Sequence, residues 1–263
     1  MDFGLHNRLS SILKPPTERC VMLAVDHGYF QGPTTGLEQP AKVIAPLLPH
    51  ADALMLTRGV LRTCVDATTR VPIVLRVSGG TSMLKDDLSD EDLTVSIEEA
   101  IRLNAACVTM SIFVGSPHEK RSLSNLGRLC DDAGRYGIPV LAVTAVGKEM
   151  VRDARYLGLA CRIAAELGAH LVKTYHCEGF DKVVAGCPVP VVIAGGKKIE
   201  ERDALRLAHS AIRDGARGVD MGRNIFQAQW PVAMIRAVRS IVHDNRTDAQ
   251  AWDDMRPAMA RSK

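Results

Sequence analysis

Eight short apolar runs alternate with amphipathic stretches along the chain. Each run is rich in Val, Ile and Leu, which is typical of a parallel strand buried on both faces. Segments 153–169 and 201–216 show helical spacing of apolar residues, and both end in Gly-Ala just before the next run, a helix stop signal. The runs cover residues 20–28, 51–59, 71–80, 106–115, 138–147, 169–176, 189–196 and 216–224.

This alternation predicts a fold of the α/β class. Successive βαβ units with eight strands favour a closed (β/α)8 TIM barrel. No linker or low-complexity tract interrupts the chain, so we expect a single domain over residues 1–263, with a short helical segment at about 1–16 that Pro15-Pro16 ends. An open doubly wound sheet is the alternative, although no GxGxxG follows the first strand, as a dinucleotide-binding sheet would need.

Composition narrows the classes of function. The 263 residues carry a net charge of only +3, with both signs spread along the chain, which argues against nucleic-acid binding. No apolar run reaches the roughly 18 residues of a membrane span. The seven cysteines show neither CxxC nor zinc-ligand spacing, so we expect reduced thiols, no metal and a cytoplasmic location.

In a TIM barrel, the catalytic groups lie at the carboxyl ends of the strands. Lys173 stands at the end of an apolar strand, where an ammonium is costly unless it is paired or deprotonated. A desolvated lysine is also a good amine nucleophile toward a carbonyl. The competitors, Lys148, Lys197 and Lys198, lie in glycine-containing loops, where lysines are more often solvated or bound to phosphate. A purely structural ion pair of Lys173 remains the alternative.

Asp26 and His27 follow the first strand. We expect Asp26 to be the partner of Lys173 across the barrel, orienting the amine and moving protons. His27 is equally consistent with acid–base work and with a structural hydrogen bond.

Two glycine loops end the seventh and eighth strands, which is the usual place for phosphate in such barrels. Gly195 and Gly196 lie in IAGGKK, while Gly222 and Arg223 lie in DMGRNIF. Glycine lets backbone N–H groups approach an oxyanion, and Arg223 adds a charged contact. Tight turns alone would also explain the glycines.

Several long motifs resemble a known family. The stretches VMLAVDHGYFQGPTTGLE, LMLTRGVLR, VGKEMVRDARYLGLACRIAAELGA, CPVPVVIAGGKK and GVDMGRNIFQ are similar to the class I aldolases that include the archaeal-type fructose-bisphosphate aldolases, and most of all to the thiolase branch of that family. The resemblance extends from about residue 4 to residue 245. It implies that Lys173 is the Schiff-base lysine, that Asp26 is the neighbouring catalytic carboxylate, and that the glycine loops with Arg223 bind phosphate.

By this resemblance, the substrate is a phosphorylated diketone, 3-hydroxy-5-phosphonooxypentane-2,4-dione. Its acetyl group would pass to the co-substrate CoA, giving acetyl-CoA and glycerone phosphate in autoinducer-2 degradation. No bound cofactor is implied, and the family suggests a homo-oligomer, possibly a decamer.

The fifth strand departs from the aldolase pattern. The aldolases of the family carry Trp-x-Tyr there, and their tyrosine transfers protons, whereas this chain has Val143 and Ala145. The departure argues against fructose-bisphosphate cleavage and is consistent with the thiolase branch. Two alternatives remain: a Schiff-base aldolase acting on a sugar phosphate, and a phosphate-binding barrel without catalysis.

Overall fold

The computed structural model describes residues 2–145 and 151–260, and within them the predicted barrel is present. Eight strands follow one another around a closed barrel in chain order, and every neighbouring pair is parallel. The TIM-barrel prediction is confirmed, and the open-sheet alternative is wrong. The strands are β1 (Cys20–Ala24), β2 (Ala53–Thr57), β3 (Ile73–Arg76), β4 (Ser78–Gly79), β5 (Asp92–Leu93), β6 (Cys107–Ile112), β7 (Val140–Thr144), β8 (Leu171–Thr174), β9 (Val191–Ala194) and β10 (Gly218–Met221).

Strands β4 and β5 do not belong to the barrel. They pair with each other in an antiparallel two-stranded sheet above the end of β3. The apolar run at 71–80 was predicted as one strand, but the barrel strand within it ends at Arg76. Beyond that point, Gly80 has φ +130°, a value that favours glycine, and the chain turns into a loop that returns at β5.

Helices follow the barrel strands and cover the outside of the barrel. For α7 (Ala154–Glu166), the carboxylate of Asp153 accepts a hydrogen bond from the N–H of Tyr156 at 2.8 Å, which caps the first turn. One face of this helix, formed by Leu157, Ala160, Cys161 and Ala164, is buried at helical spacing. The helix ends before Gly168, whose φ of +98° matches the predicted stop.

The remaining helices have the following bounds: α1 (Phe3–Ile12), α2 (Gly28–Gln31), α3 (Pro40–Leu47), α4 (Arg58–Cys64), α5 (Ile97–Arg102), α6 (Glu119–Gly134), α8 (Phe180–Ala185), α9 (Glu201–Arg213), α10 (Arg223–Phe226), α11 (Pro231–Asp244) and α12 (Asp248–Ala260). A 3-10 turn covers Leu48–His50. No helix of residues 2–145 or 151–260 is both long enough and apolar enough to cross a membrane.

Helix α1 closes the amino-terminal end of the barrel. Its last residue, Ile12, is fully buried in a cluster with apolar side chains from the barrel strands. Arg8 holds the other side of the helix by donating to the backbone carbonyl of Gly137 at 3.0 Å, just before β7. The members of the cluster with Ile12 are Cys20, Met22, Ala53, Met55, Val74, Cys107, Leu141, Leu171 and Val192. An apolar plug therefore fills the lower half of the barrel, and the polar interior side chains lie above it.

Candidate active site

Lys173 lies on β8, whose four residues are all buried. Its side chain is 11% exposed, and its ammonium Nζ lies 2.9 Å from Oδ2 of Asp220. The thioether sulfur of Met55, across the barrel, is 3.9 Å from the same nitrogen. The lysine therefore points into the barrel above the apolar plug, with one polar face and one apolar face. Its position at a strand end inside the barrel matches the sequence prediction.

The partner of Lys173 differs from the one expected. We predicted Asp26, but the ion pair forms with Asp220 on β10. Lys173 and Asp220 stand on the sixth and eighth barrel strands, and alternate strands contribute side chains to the same interior layer. Asp26 follows the first strand, which belongs to the other set of alternate strands. Lys173 therefore pairs with Asp220, the aspartate whose strand contributes to the same interior layer.

Asp220 is buried to 1% exposure, and apart from the ion pair of Oδ2 with Lys173 its two carboxylate oxygens have no hydrogen-bond partner. Burial raises the pKa of its carboxyl above the usual value, and the nearby charge of Lys173 opposes the shift only in part. Asp220 lies within the eighth apolar run at 216–224, but nothing in the sequence singled it out.

Asp26 forms its own ion pair with Arg76. The guanidinium Nε and Nη2 atoms of Arg76 each lie 2.9 Å from Oδ2 of Asp26, and both residues are buried. Burial by itself raises the pKa of Asp26, but the charge of Arg76, followed by those of Lys173 and His27, outweighs it and holds the pKa below its usual value. Asp26 is therefore an anion at neutral pH.

Arg76 also anchors a buried network of hydroxyl and carboxyl groups. Its Nη1 donates to Oγ of Ser111 at 2.8 Å and to Oγ of Ser78 at 3.4 Å. Ser78 donates in turn to Glu91 at 2.7 Å, and Tyr29 donates to the other oxygen of the same carboxylate at 2.6 Å. The β4–β5 sheet thus brings Glu91 over the barrel mouth. Each polar member of this network has its partner, as burial requires.

His27 lies beside the glycine loop at Gly222. Its ring makes an edge contact with Phe226, with centroids 5.6 Å apart, and its Nδ1 is buried without a hydrogen-bond partner. Burial lowers the pKa of His27 to about 4, so the ring is neutral at physiological pH. The ring therefore carries no charge at this position, and its Nδ1 is left as an unpaired polar atom.

The two glycine loops meet at the carboxyl ends of β9 and β10. A Cβ on Gly222 would lie 2.3 Å from the carbonyl oxygen of Ala24, so only glycine fits this position. Gly196 has φ +70°, again a glycine conformation. Arg223 begins α10, and its Nε is buried without a partner. Burial lowers the pKa of this arginine, and an unpaired guanidinium group is suited to an anion.

Asn224 joins the two loops, and sequence reasoning missed it. Its Nδ2 donates to the carbonyl oxygen of Gly195 at 2.6 Å, and its Oδ1 accepts from the N–H of Ile199 at 2.9 Å. The side chain is fully buried. Asn224 fixes the β9 loop against the start of α10, which sets the distance between Gly195 and Gly222. The only signal in the sequence was its place after Gly-Arg.

A pocket of about 410 Å³ opens beside the β9 loop. Its lining includes Gly195, Gly196 and Lys197, together with Tyr175 and Arg152. The guanidinium of Arg152 stacks on the ring of Tyr175, 3.8 Å from its centroid. Lys148, another lysine considered from the sequence, lies outside the described residues. No group of three or more His, Cys, Asp or Glu side chains within the described ranges is arranged to hold a metal ion.

Comparison with known proteins decides the family. The model of the DeoC/LacD family aldolases matches residues 20–228, which contain all eight barrel strands. The chain belongs to the DeoC/LacD aldolase family.

Within the DeoC/LacD aldolases, relatives with specific names are similar over almost the whole chain. The 3-hydroxy-5-phosphonooxypentane-2,4-dione thiolase of Yersinia pseudotuberculosis is 55% identical over 96% of this chain and 87% of its own length. The thiolase of the same name from Photorhabdus laumondii is 54% identical with the same coverage. A solved archaeal fructose-1,6-bisphosphate aldolase, with its catalytic lysine bound to the carbinolamine intermediate of the substrate, superposes with a TM-score of 0.82. It is 26% identical and covers 90% of this chain and 99% of its own.

The structure also locates the departure from the aldolase pattern. Ala145 directly follows β7, and its N–H donates to the carbonyl oxygen of Ile112. Val143 is the register neighbour of Lys173. This strand end therefore adjoins the lysine, and the two positions of the aldolase pattern carry the apolar side chains of Val143 and Ala145.

Proposed function

We propose that this DeoC/LacD aldolase is a thiolase that cleaves 3-hydroxy-5-phosphonooxypentane-2,4-dione with CoA, giving acetyl-CoA and glycerone phosphate. One observation carries the proposal: a buried lysine stands at a barrel strand end, 2.9 Å from a buried carboxylate. The substrate is proposed from the name of the thiolases that are 54–55% identical to this chain. The reaction would end the breakdown of phosphorylated autoinducer-2.

The chemistry is a retro-Claisen cleavage. Lys173 condenses with the ketone next to the phosphate-bearing carbon and forms an iminium. The CoA thiolate adds to the acetyl carbonyl carbon, the oxyanion collapses, and the carbon–carbon bond breaks. The iminium accepts the electron pair as an enamine, which is protonated on carbon, and water releases glycerone phosphate and the lysine. The acetyl group stays on sulfur.

The phosphate would bind at the two glycine loops. Arg223 has a buried Nε without a hydrogen-bond partner, which supports this arginine as the charged contact of an anion. Fixing the phosphate determines which ketone meets Lys173, and such positioning supplies much of the rate of a two-substrate reaction.

The thiol would enter from the other side of the mouth. A second cavity of about 200 Å³ lies beside β2 and β3, lined by Arg58, Arg76, Ser78 and Gly80 among others. The acetyl end of a substrate anchored at β9 and β10 would extend toward this side. CoA and a phosphorylated metabolite are both cytoplasmic compounds, which supports a cytoplasmic enzyme. We also propose a homo-oligomer, with a decamer as the form that the family resemblance suggests, and light scattering that gives the monomer mass would reject this.

Trapping with borohydride tests the covalent step. We expect substrate plus borohydride to inactivate the enzyme and to add the mass of the reduced adduct at Lys173. Lys173→Met should abolish both effects, whereas Lys182→Met, an exposed lysine on α8, should leave them intact. Full activity after trapping, with an unmodified Lys173, would refute the Schiff base.

An aldolase acting on a sugar phosphate is the second candidate, and the similarity to the archaeal aldolase favours it. Retro-aldol cleavage needs a base that takes the proton of the substrate hydroxyl, and the methyl group of Ala145 cannot do this. Cleavage driven by thiolate addition has no such requirement. We therefore expect glycerone phosphate release only with CoA and negligible cleavage of fructose 1,6-bisphosphate; efficient cleavage of that sugar without CoA would establish the aldolase instead.

A further inference from the structure

Formation of an iminium at Lys173 requires a proton carrier close to the amine. The amine must lose a proton before it attacks, and the carbonyl oxygen must gain two protons before it leaves as water. In the aldolases resembled by the sequence, a tyrosine on the fifth strand moves protons. Here that strand end carries Val143 and Ala145.

The other carboxylates near Lys173 have partners. Oδ2 of Asp26 accepts from two nitrogens of Arg76, which stabilises its anion. Both oxygens of Glu91 accept from hydroxyl groups, one of Tyr29 and one of Ser78. His27 keeps an unpaired Nδ1, but burial lowers the pKa of its ring to about 4, which makes it a weak base.

Asp220 differs from all of these. Its Oδ2 is 2.9 Å from the lysine nitrogen, which is within proton-transfer distance. Its Oδ1 is buried and has no hydrogen-bond partner, so a lone pair is available for an atom bonded to the reacting carbon. Burial favours the neutral acid, so the carboxyl can hold a proton for part of the cycle.

We propose that Asp220 is the acid–base catalyst of iminium formation and hydrolysis at Lys173. This inference rests on the proposed function, because it assumes that Lys173 forms the Schiff base. In the aldolases that the sequence resembles, the proton-transfer group lies on the fifth barrel strand. The proposal places it on the eighth strand in this protein.

The protons balance through one cycle. The ammonium of Lys173 passes a proton to Asp220, and the free amine forms a C–N bond with the carbonyl carbon, whose π electrons become an alkoxide. Asp220 protonates the alkoxide and then takes a proton from the nitrogen, which gives the neutral carbinolamine. It returns this proton to the hydroxyl group, the C–O bond breaks, and water leaves. An iminium and a carboxylate remain where an ammonium and a carboxylate began, so the ion pair is preserved.

The test uses glycerone phosphate alone, so that neither CoA nor the diketone enters. Reversible iminium formation exchanges the C2 carbonyl oxygen with solvent, and mass spectrometry in ¹⁸O-enriched water measures the rate. We expect Asp220→Asn, which keeps the side-chain volume, to lower this rate by about 10²- to 10⁴-fold, the usual contribution of a general acid–base group. The matched control is Asp52→Asn. Asp52 is a similarly buried aspartate that directly precedes β2 and is paired with His243 and Arg239 of α11. This variant should exchange the oxygen at the wild-type rate.

Two further measurements separate proton transfer from a structural role. The wild-type rate should pass through a maximum with pH, because Asp220 must accept a proton in one step and donate a proton in another. The charged and titratable groups that face Asp220 are Lys173, Asp26, Arg76 and the thiols of Cys20 and Cys107. In Asp220→Asn, the exchange rate should no longer fall at alkaline pH. In Asp220→Ala, added formate should restore exchange in proportion to its concentration, by acting in the space of the lost carboxyl.

The outcomes are distinct. Unchanged exchange in Asp220→Asn would overturn the proposal, and so would slow exchange that keeps the wild-type pH profile and does not respond to formate in Asp220→Ala. Absence of exchange in the unaltered enzyme would overturn the Schiff base itself, and this inference with it. Slow exchange with an altered profile, formate rescue and an unaffected Asp52→Asn would support it.

Discussion

Replacing Arg76 by methionine removes a buried cation from a buried anion, and we expect a large loss of stability. Methionine keeps much of the length and volume of the side chain but donates no hydrogen bonds. Asp26 then loses both nitrogens that lie 2.9 Å from its Oδ2, and Ser111 loses its 2.8 Å contact. Removing one partner of a buried ion pair costs roughly 3–5 kcal/mol, because the other charge stays desolvated and unpaired.

The pH dependence of this loss follows from the pKa of Asp26. In the native protein, that pKa is lowered, so the pair contributes stability that is fully present above the unfolded value of about 3.9 and is lost as the pH falls through the folded value. In Arg76→Met, burial raises the folded pKa of Asp26 above the unfolded one. The carboxylate then destabilises the fold at neutral pH, and protonation removes this penalty as the pH falls. The gap between the two proteins should therefore be widest near neutral pH and narrow toward about pH 4.

Urea unfolding followed by circular dichroism measures both effects. We expect the gap of about 3–5 kcal/mol at about pH 7. Asp26→Asn added to Arg76→Met should recover more than about 1 kcal/mol, since the orphan charge is then gone. A gap below about 1 kcal/mol, or one that neither pH nor Asp26→Asn changes, would show that the pair is not the source of stability in this part of the barrel.

Three other predictions concern the two glycine loops and the amino-terminal end of the barrel. Gly222→Ala forces a Cβ to 2.3 Å from the Ala24 carbonyl, so the loop must shift, and thermal unfolding should show a loss of about 1–3 kcal/mol together with weaker glycerone phosphate binding. Arg223→Ala should weaken inorganic phosphate by about 1.5–3 kcal/mol, or roughly tenfold to a hundredfold by calorimetry, and unchanged affinity would place the anion elsewhere. Asp52→Asn removes a carboxylate whose pKa the hydrogen bonds of His243 and Arg239 hold low against its burial. The contribution of this carboxylate to stability is present above its unfolded pKa and is lost as the pH falls through its folded pKa. The urea midpoint of the variant should therefore lie below that of the wild type at neutral pH and converge with it below about pH 4. The kcat of the variant should be unaffected.

The sequence predicted the barrel because each strand carries its own signal. The strand Cys20–Ala24, for example, is buried along its whole length, and all of its residues are apolar. Lys173 and the two glycine loops were predicted for a similar local reason. A lysine in an apolar strand and a glycine at a strand end stand out without knowledge of contacts.

The pairings at the mouth could not be predicted in the same way. Whether Lys173 meets Asp26 or Asp220 depends on which strands share an interior layer, and that depends on the stagger of the closed sheet. Glu91 reaches the mouth only because a short antiparallel sheet, β4 and β5, brings its loop back over β3. Asn224 matters through a hydrogen bond to Gly195, which lies 29 residues earlier in the chain. None of these contacts leaves a local pattern in the sequence.

The separation into two ion pairs bears on which reaction the site supports. Arg76 keeps Asp26 ionised and lowers its pKa, and a carboxylate with a low pKa is a weak base. Such a group accepts a hydrogen bond from a substrate hydroxyl but removes its proton poorly, which is the step a retro-aldol needs. Asp220 is the stronger base, but its Oδ2 adjoins the lysine nitrogen rather than the mouth beyond it. The site thus places its stronger base at the lysine nitrogen and a fixed anion in the Arg76 network, an arrangement that favours bond cleavage driven by an added thiolate over cleavage driven by deprotonation of an alcohol.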